Sequence, residues 1–104
     1  MLFRSFQKGE EALCEYFDVL LNAFLFYGMN RQAMVENVRV VVSRAQEINA
    51  KYLVHVLLPI YFNDVSISLE TAHRFCAASA ALYAGLYEEA GVPQEIHVVV
   101  VVPS

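Results

Sequence analysis

Five consecutive valines, Val98, Val99, Val100, Val101 and Val102, stand just before Pro103 and constrain the fold more than any other stretch. β-Branched side chains are stiff at χ1 and suit a pleated surface better than a helix. Pro103 stops the run, since proline has no N–H to give to a ladder. The expectation is a strand over residues 95–102. A strand that is apolar on both sides is normally covered on both faces. A single domain of 104 residues, the reading this length favours, has few ways to arrange that.

Composition points the same way. The apolar share is 58%, and counting the four glycines in place of the six tyrosines leaves roughly 56%, against roughly 45–50% in ordinary domains. A small domain has too much surface to hide that excess internally, so part of it is assigned to an interface between subunits. The longest apolar runs fall far short of the ~20 residues that span a bilayer, and no basic segment followed by an apolar core opens the chain. Cys14 and Cys76 are too few for a disulfide scaffold. A cytoplasmic protein without a membrane span is expected. The net charge of −4 and seven scattered basic residues disfavour nucleic acid as a partner.

Along the chain, residues 5–27 read as a helix closed by Gly28. Glu11, Glu15, Asp18 and Asn22 form its polar stripe, opposite Leu13, Phe17, Leu20 and Phe24. Asn30 caps a second helix to about residue 49, with the seam Met34, Val38, Val41, Ala45 and Ile48. The rival for residues 38–42 is a strand. These two helices make a helical hairpin around Gly28, Met29 and Asn30. Residues 51–58 read as a strand ended by Pro59. Ser68 caps a third helix over residues 69–90, which Gly91 and Pro93 close.

The resulting fold class is α+β, or small α/β. An N-terminal helical hairpin precedes a β-α-β unit that ends in the valine-rich strand. A two-stranded sheet is too small to stand alone. A third strand at residues 38–42 or 65–69 completes it, or two subunits join their sheets across a dimer.

The signatures of phosphate cradles, redox dithiols and zinc proteases are absent from the sequence, and no catalytic residue, metal ligand set or cofactor is assigned. His55 and His97 are the most chemically interesting pair, because period two places both on one face if the strands pair in the matching phase. Two imidazoles are one ligand short of a catalytic zinc site, and each is otherwise a half-buried histidine. His73 and Cys76, at i and i+3, form a thiol–imidazole pair, though a cysteine beside alanines usually serves as packing. Tyr61, Phe62, Asn63, Asp64, Ser66 and Ser68 follow the C-terminal end of a strand, where open α/β sheets bind ligands.

The function expected from these features is non-enzymatic. It is a small interaction or structural domain acting as a homo-oligomer, or binding a protein partner as adaptor, inhibitor, immunity or phage/viral accessory proteins do. Val98, Val99, Val100, Val101 and Val102 are its expected interface. The alternative is a small enzyme or a metal- or ligand-binding protein that uses His55 and His97.

Overall fold

The computed structural model of the protein describes residues 2–8, 11–19, 30–58, 68–91 and 95–100. The elements are β1 (Leu2–Lys8), β2 (Glu11–Val19), α1 (Arg31–Glu47), β3 (Tyr52–Leu58), α2 (Leu69–Ala90) and β4 (Glu95–Val100). They form a small mixed α/β domain with one four-stranded sheet in the order β1-β2-β3-β4. β2, β3 and β4 run parallel, and β1 is antiparallel to β2.

The N-terminal helical hairpin is corrected: where a helix over residues 5–27 was expected, β1 and β2 pair from Leu2↔Phe17 to Lys8↔Glu11. The stripe Glu11, Glu15, Asp18 fits a helix and is split by the strand, which puts Asp18 on the face opposite Glu11 and Glu15, and tertiary pairing overrides the local pattern. Residues 20–29 lie outside the described residues. α1 matches the second expected helix, and the strand reading of residues 38–42 is thereby rejected. The Asn30 side chain accepts the Ala33 N–H at 3.2 Å, and Met34, Val38, Val41 and Ala45 are buried in the seam.

The β3-α2-β4 unit forms at the expected places. Ser68 Oγ accepts the Thr71 N–H at 3.1 Å, and Gly91, at φ 63°, ends α2 in the left-handed conformation. There a side chain with a Cβ is strained. The bond from Glu95 N–H to Lys51 O, 3.1 Å, opens the β3–β4 ladder.

Two parallel crossovers, β2-α1-β3 and β3-α2-β4, each advance one strand in the same direction. Crossovers of this kind are right-handed, so both helices land on one face of the sheet. That face carries three rows: Cys14, Leu53 and Ile96; Tyr16, His55 and Val98; Asp18, Leu57 and Val100. The core lies between these rows and Met34, Val38, Val41 and Ala45 of α1 with Cys76, Tyr83, Leu86 and Tyr87 of α2. The opposite face carries Leu13, Tyr52 and Glu95; Glu15, Val54 and His97; Phe17, Val56 and Val99.

Two further expectations change with this layering. The valine strand is not covered on both faces by its own chain: Ile96, Val98 and Val100 are half-buried under α2, whereas Glu95, His97 and Val99 are exposed. The middle of α2 is not sequestered within the chain either. Ala77, Ala78, Ala81, Leu82, Ala84 and Gly85 are all exposed. Of Phe75, Ser79, Leu82 and Leu86, the set expected to face the sheet, Leu82 points away and is 41% exposed.

Candidate functional site

His55 sits at the centre of β3 with no exposed surface, and three tyrosine rings enclose it. Tyr16, from the neighbouring position of β2, meets it edge-on at 4.8 Å between centroids. Tyr83 and Tyr87 descend from α2 at 4.2 and 5.7 Å. Spacing by four residues puts these two tyrosines on one helix face, one turn apart.

A buried imidazole needs partners for both nitrogens, and both are supplied. With its proton on Nε2, the ring donates to Asp18 Oδ2 at 3.0 Å. Nδ1 then accepts the Tyr87 hydroxyl at 2.8 Å. On the other side, Asn37 Nδ2 donates to the Tyr83 hydroxyl at 2.9 Å, and that hydroxyl lies near the Asp18 carboxyl group. The branch from Tyr87 through His55 ends on the Asp18 carboxyl group. These hydrogen bonds link α1 to α2, and α2 through β3 to β2.

Burial pushes the Tyr83 and Tyr87 hydroxyls well above the ordinary tyrosine range, and nearby Asp18 pushes both further. Tyr16 is raised for the same two reasons. The hydroxyls therefore stay protonated as donors. With His55 wholly enclosed, the network fixes packing and presents no group to a substrate.

The structure does not bring His55 and His97 together. The register sets His55 opposite Val98, so His97 lies on the other face of the sheet, exposed and bonded through Nε2 to Glu95 Oε1 at 3.0 Å. The expected phase is thus shifted by one residue, which flips every side chain of one strand relative to the other. Among the described residues no group of three His, Cys, Asp or Glu side chains is placed to hold a metal ion.

Cys76 is buried, and desolvation, then the charge of Asp18, raises its thiol from 9.0 to about 11. A nucleophilic cysteine needs the opposite shift. His73, one turn away, keeps Nε2 enclosed without a hydrogen-bond partner. Of the loop set, Ser68 is the N-cap of α2; Tyr61, Phe62, Asn63, Asp64 and Ser66 lie outside the described residues.

The remaining feature is β4 itself. Among the described residues it has β3 on one side and no strand on the other. Its row of backbone groups alternates between the ladder to β3 and the open edge. From Ile96 to Val100 it carries no side chain more polar than His97. Edge strands are ordinarily protected by charge, proline or a bulge. No residue from 96 to 100 supplies the first two. Val99 is 38% exposed beside this edge.

Comparison of the chain with family models, with curated proteins and with solved structures gives no match.

Proposed function

We propose that the protein is a non-enzymatic self-association domain, a homodimer in which the β4 edges of two copies pair to make one continuous sheet. The observation that carries this reading is the β4 edge, which no other strand covers among the described residues. Its open donors and acceptors are a template for another strand, and a second copy of the same apolar strand fits it without a charge mismatch. A two-fold axis makes such pairing antiparallel and closes the assembly at two copies.

The excess of apolar residues in the composition supports this reading, as does the burial of the most reactive side chains. Cys14 and Cys76 are buried and form no disulfide with each other, which suits a reducing compartment such as the cytoplasm. No helix among the described residues is long and apolar enough to cross a membrane.

The reading is tested with Val99→Lys. Val99 is exposed, so a lysine there leaves the core untouched while placing a gatekeeping charge beside the seam. Light scattering during size exclusion should show the variant at half the mass of the wild type, with unchanged circular dichroism. A wild-type protein that is monomeric at all concentrations, or a variant as dimeric as the wild type, contradicts the proposal.

A further inference from the structure

Backbone and side chains of β4 point in different directions. Glu95 N–H donates to Lys51 O, so the backbone groups of Glu95, His97 and Val99 turn toward β3 and those of Ile96 and Val98 turn to the open edge. Side chains alternate across the sheet. Ile96 and Val98 are half-buried under α2, while Glu95, His97 and Val99 are exposed on the other face, where neither α1 nor α2 lies. On that face His97 Nε2 and Glu95 Oε1 stand 3.0 Å apart, with side chains 53% and 59% exposed.

We infer that the two β4 edges pair about a two-fold axis through His97, where His97 and Glu95 of both copies bind one zinc ion. The inference rests on the dimer reading and names what regulates it.

A two-fold axis must set open-edge residues against open-edge residues. With the axis at His97, Ile96 faces the partner's Val98 and exchanges both N–H···O bonds with it, and Val98 does the same with the partner's Ile96. The ladder then runs from Glu95 to Val99, wholly within β4. His97 faces the partner's His97 as a non-hydrogen-bonded pair, the closer kind, with Cα atoms about 4.5 Å apart. Glu95 lies diagonally from the partner's His97, a separation that long side chains span. An axis at Val98 would also satisfy the backbone, but it sets His97 against the partner's Val99 and carries both Glu95 residues away from the axis.

One chain offers an imidazole and a carboxylate, two of the four ligands that a closed zinc site takes, and the axis doubles them. Imidazole nitrogen binds zinc at about 2.0–2.1 Å and carboxylate oxygen at about 2.0–2.2 Å, so a tetrahedral angle holds such neighbours about 3.3 Å apart. The 3.0 Å between His97 Nε2 and Glu95 Oε1 is close to that spacing, and the pair admits an ion with little movement. Two carboxylates balance the charge of a divalent cation. Imidazole donors favour zinc and its transition-metal neighbours over magnesium.

A five-residue seam is about 17 Å long and one strand thick, well short of the ~1,200 Å² that a stable interface buries. An ion bound only where two copies meet adds its affinity to the association by mass action. Val99→Lys places an ammonium opposite the partner's Glu95, drawing that carboxylate off the ion, so it acts against the metal as well as the seam.

The test is sedimentation equilibrium of the full chain in EDTA, in zinc chloride and in magnesium chloride. Zinc should tighten the dimer by about tenfold or more and bind as one ion per two chains in a calorimetric titration, whereas magnesium should have no effect. His97→Ala, at an exposed position, should keep the wild-type circular dichroism and the association seen in EDTA, and should lose the response to zinc. Equal association in EDTA and zinc, a zinc response that survives in His97→Ala, or one ion per chain overturns the metal site and leaves β4 pairing standing. A chain that is monomeric in every condition overturns both.

Discussion

Replacing His55 with leucine tests the buried thread where its parts meet. The ring bonds Asp18 Oδ2 at 3.0 Å and Tyr87 at 2.8 Å. Leucine fills most of the volume and offers neither bond. Asp18, 8% exposed, loses the side-chain donor that His55 gives it. Leaving the buried Asp18 carboxylate without its imidazole donor costs more than the ~1–3 kcal/mol of a neutral group, approaching the ~3–5 kcal/mol of a broken buried ion pair. Stranding the Tyr87 hydroxyl adds about 1–3 kcal/mol. Burial of the leucine returns about 1.5–3 kcal/mol. The net loss is about 3–5 kcal/mol, a large part of the roughly 5–15 kcal/mol that holds a small domain folded. At about 4–8 °C per kcal/mol, Tm falls by roughly 12–40 °C. The chain has no tryptophan, so urea unfolding is followed by tyrosine fluorescence and far-ultraviolet circular dichroism at one fixed protein concentration. Asp18→Leu combined with His55→Leu removes the charge together with its partner and should be less damaging than the sum of the single changes, by about 1–3 kcal/mol. A His55→Leu protein within about 1 kcal/mol of wild type, or strictly additive single changes, would refute the claim that His55 and Asp18 act as one unit.

Stability should fall at alkaline pH. A group whose folded pKa is raised contributes fully below its unfolded value and loses that contribution as pH rises through the folded one; for Cys76 the window runs from 9.0 to about 11. The raised tyrosines extend the loss above pH 10. The urea midpoint should drop between pH 8 and pH 10.5, and Cys76→Ala should flatten the part that begins near pH 9. Ser68→Ala removes the bond from Thr71 N–H and should cost about 1 kcal/mol, read as a shift of the urea midpoint at constant slope. Val100→Asp places a charge against the core that Val100 packs on. It forfeits up to about 1.5–3 kcal/mol of burial plus a larger desolvation cost, so this variant should be recovered largely unfolded by circular dichroism.

The C-terminal half was legible because its punctuation is local. Ser68 as cap, Gly91 in the left-handed conformation and the β-branched residues of the two strands each carry their own physical reason. The N-terminal half was not, because Glu11, Glu15 and Asp18 recur at helical spacing, whereas the strand sends Asp18 to the face opposite Glu11 and Glu15. A Gly-x pair, Gly9 and Glu10, separates Lys8 from Glu11, the pattern favoured in two-residue hairpin connections, and it was the signal available against a helix. The buried thread could not be read locally at all. Asn37, Tyr83, Tyr87, Asp18 and His55 come from four elements, and only the parallel register decides that His55 turns inward while His97 turns out. The site expected of His55 with His97 depended on that one-residue phase. That β4 ends the sheet among the described strands follows from both crossovers winding the same way, a topological consequence of two helices on one face.

Sedimentation equilibrium of the wild-type chain across a hundredfold range of concentration tests the central claim most directly. Self-association through β4 predicts a single species of twice 11.7 kDa at the upper concentrations, dissociating to monomer on dilution without loss of helix or sheet. A mass of one chain throughout, or an open series of ever larger species with no closed dimer, would contradict it.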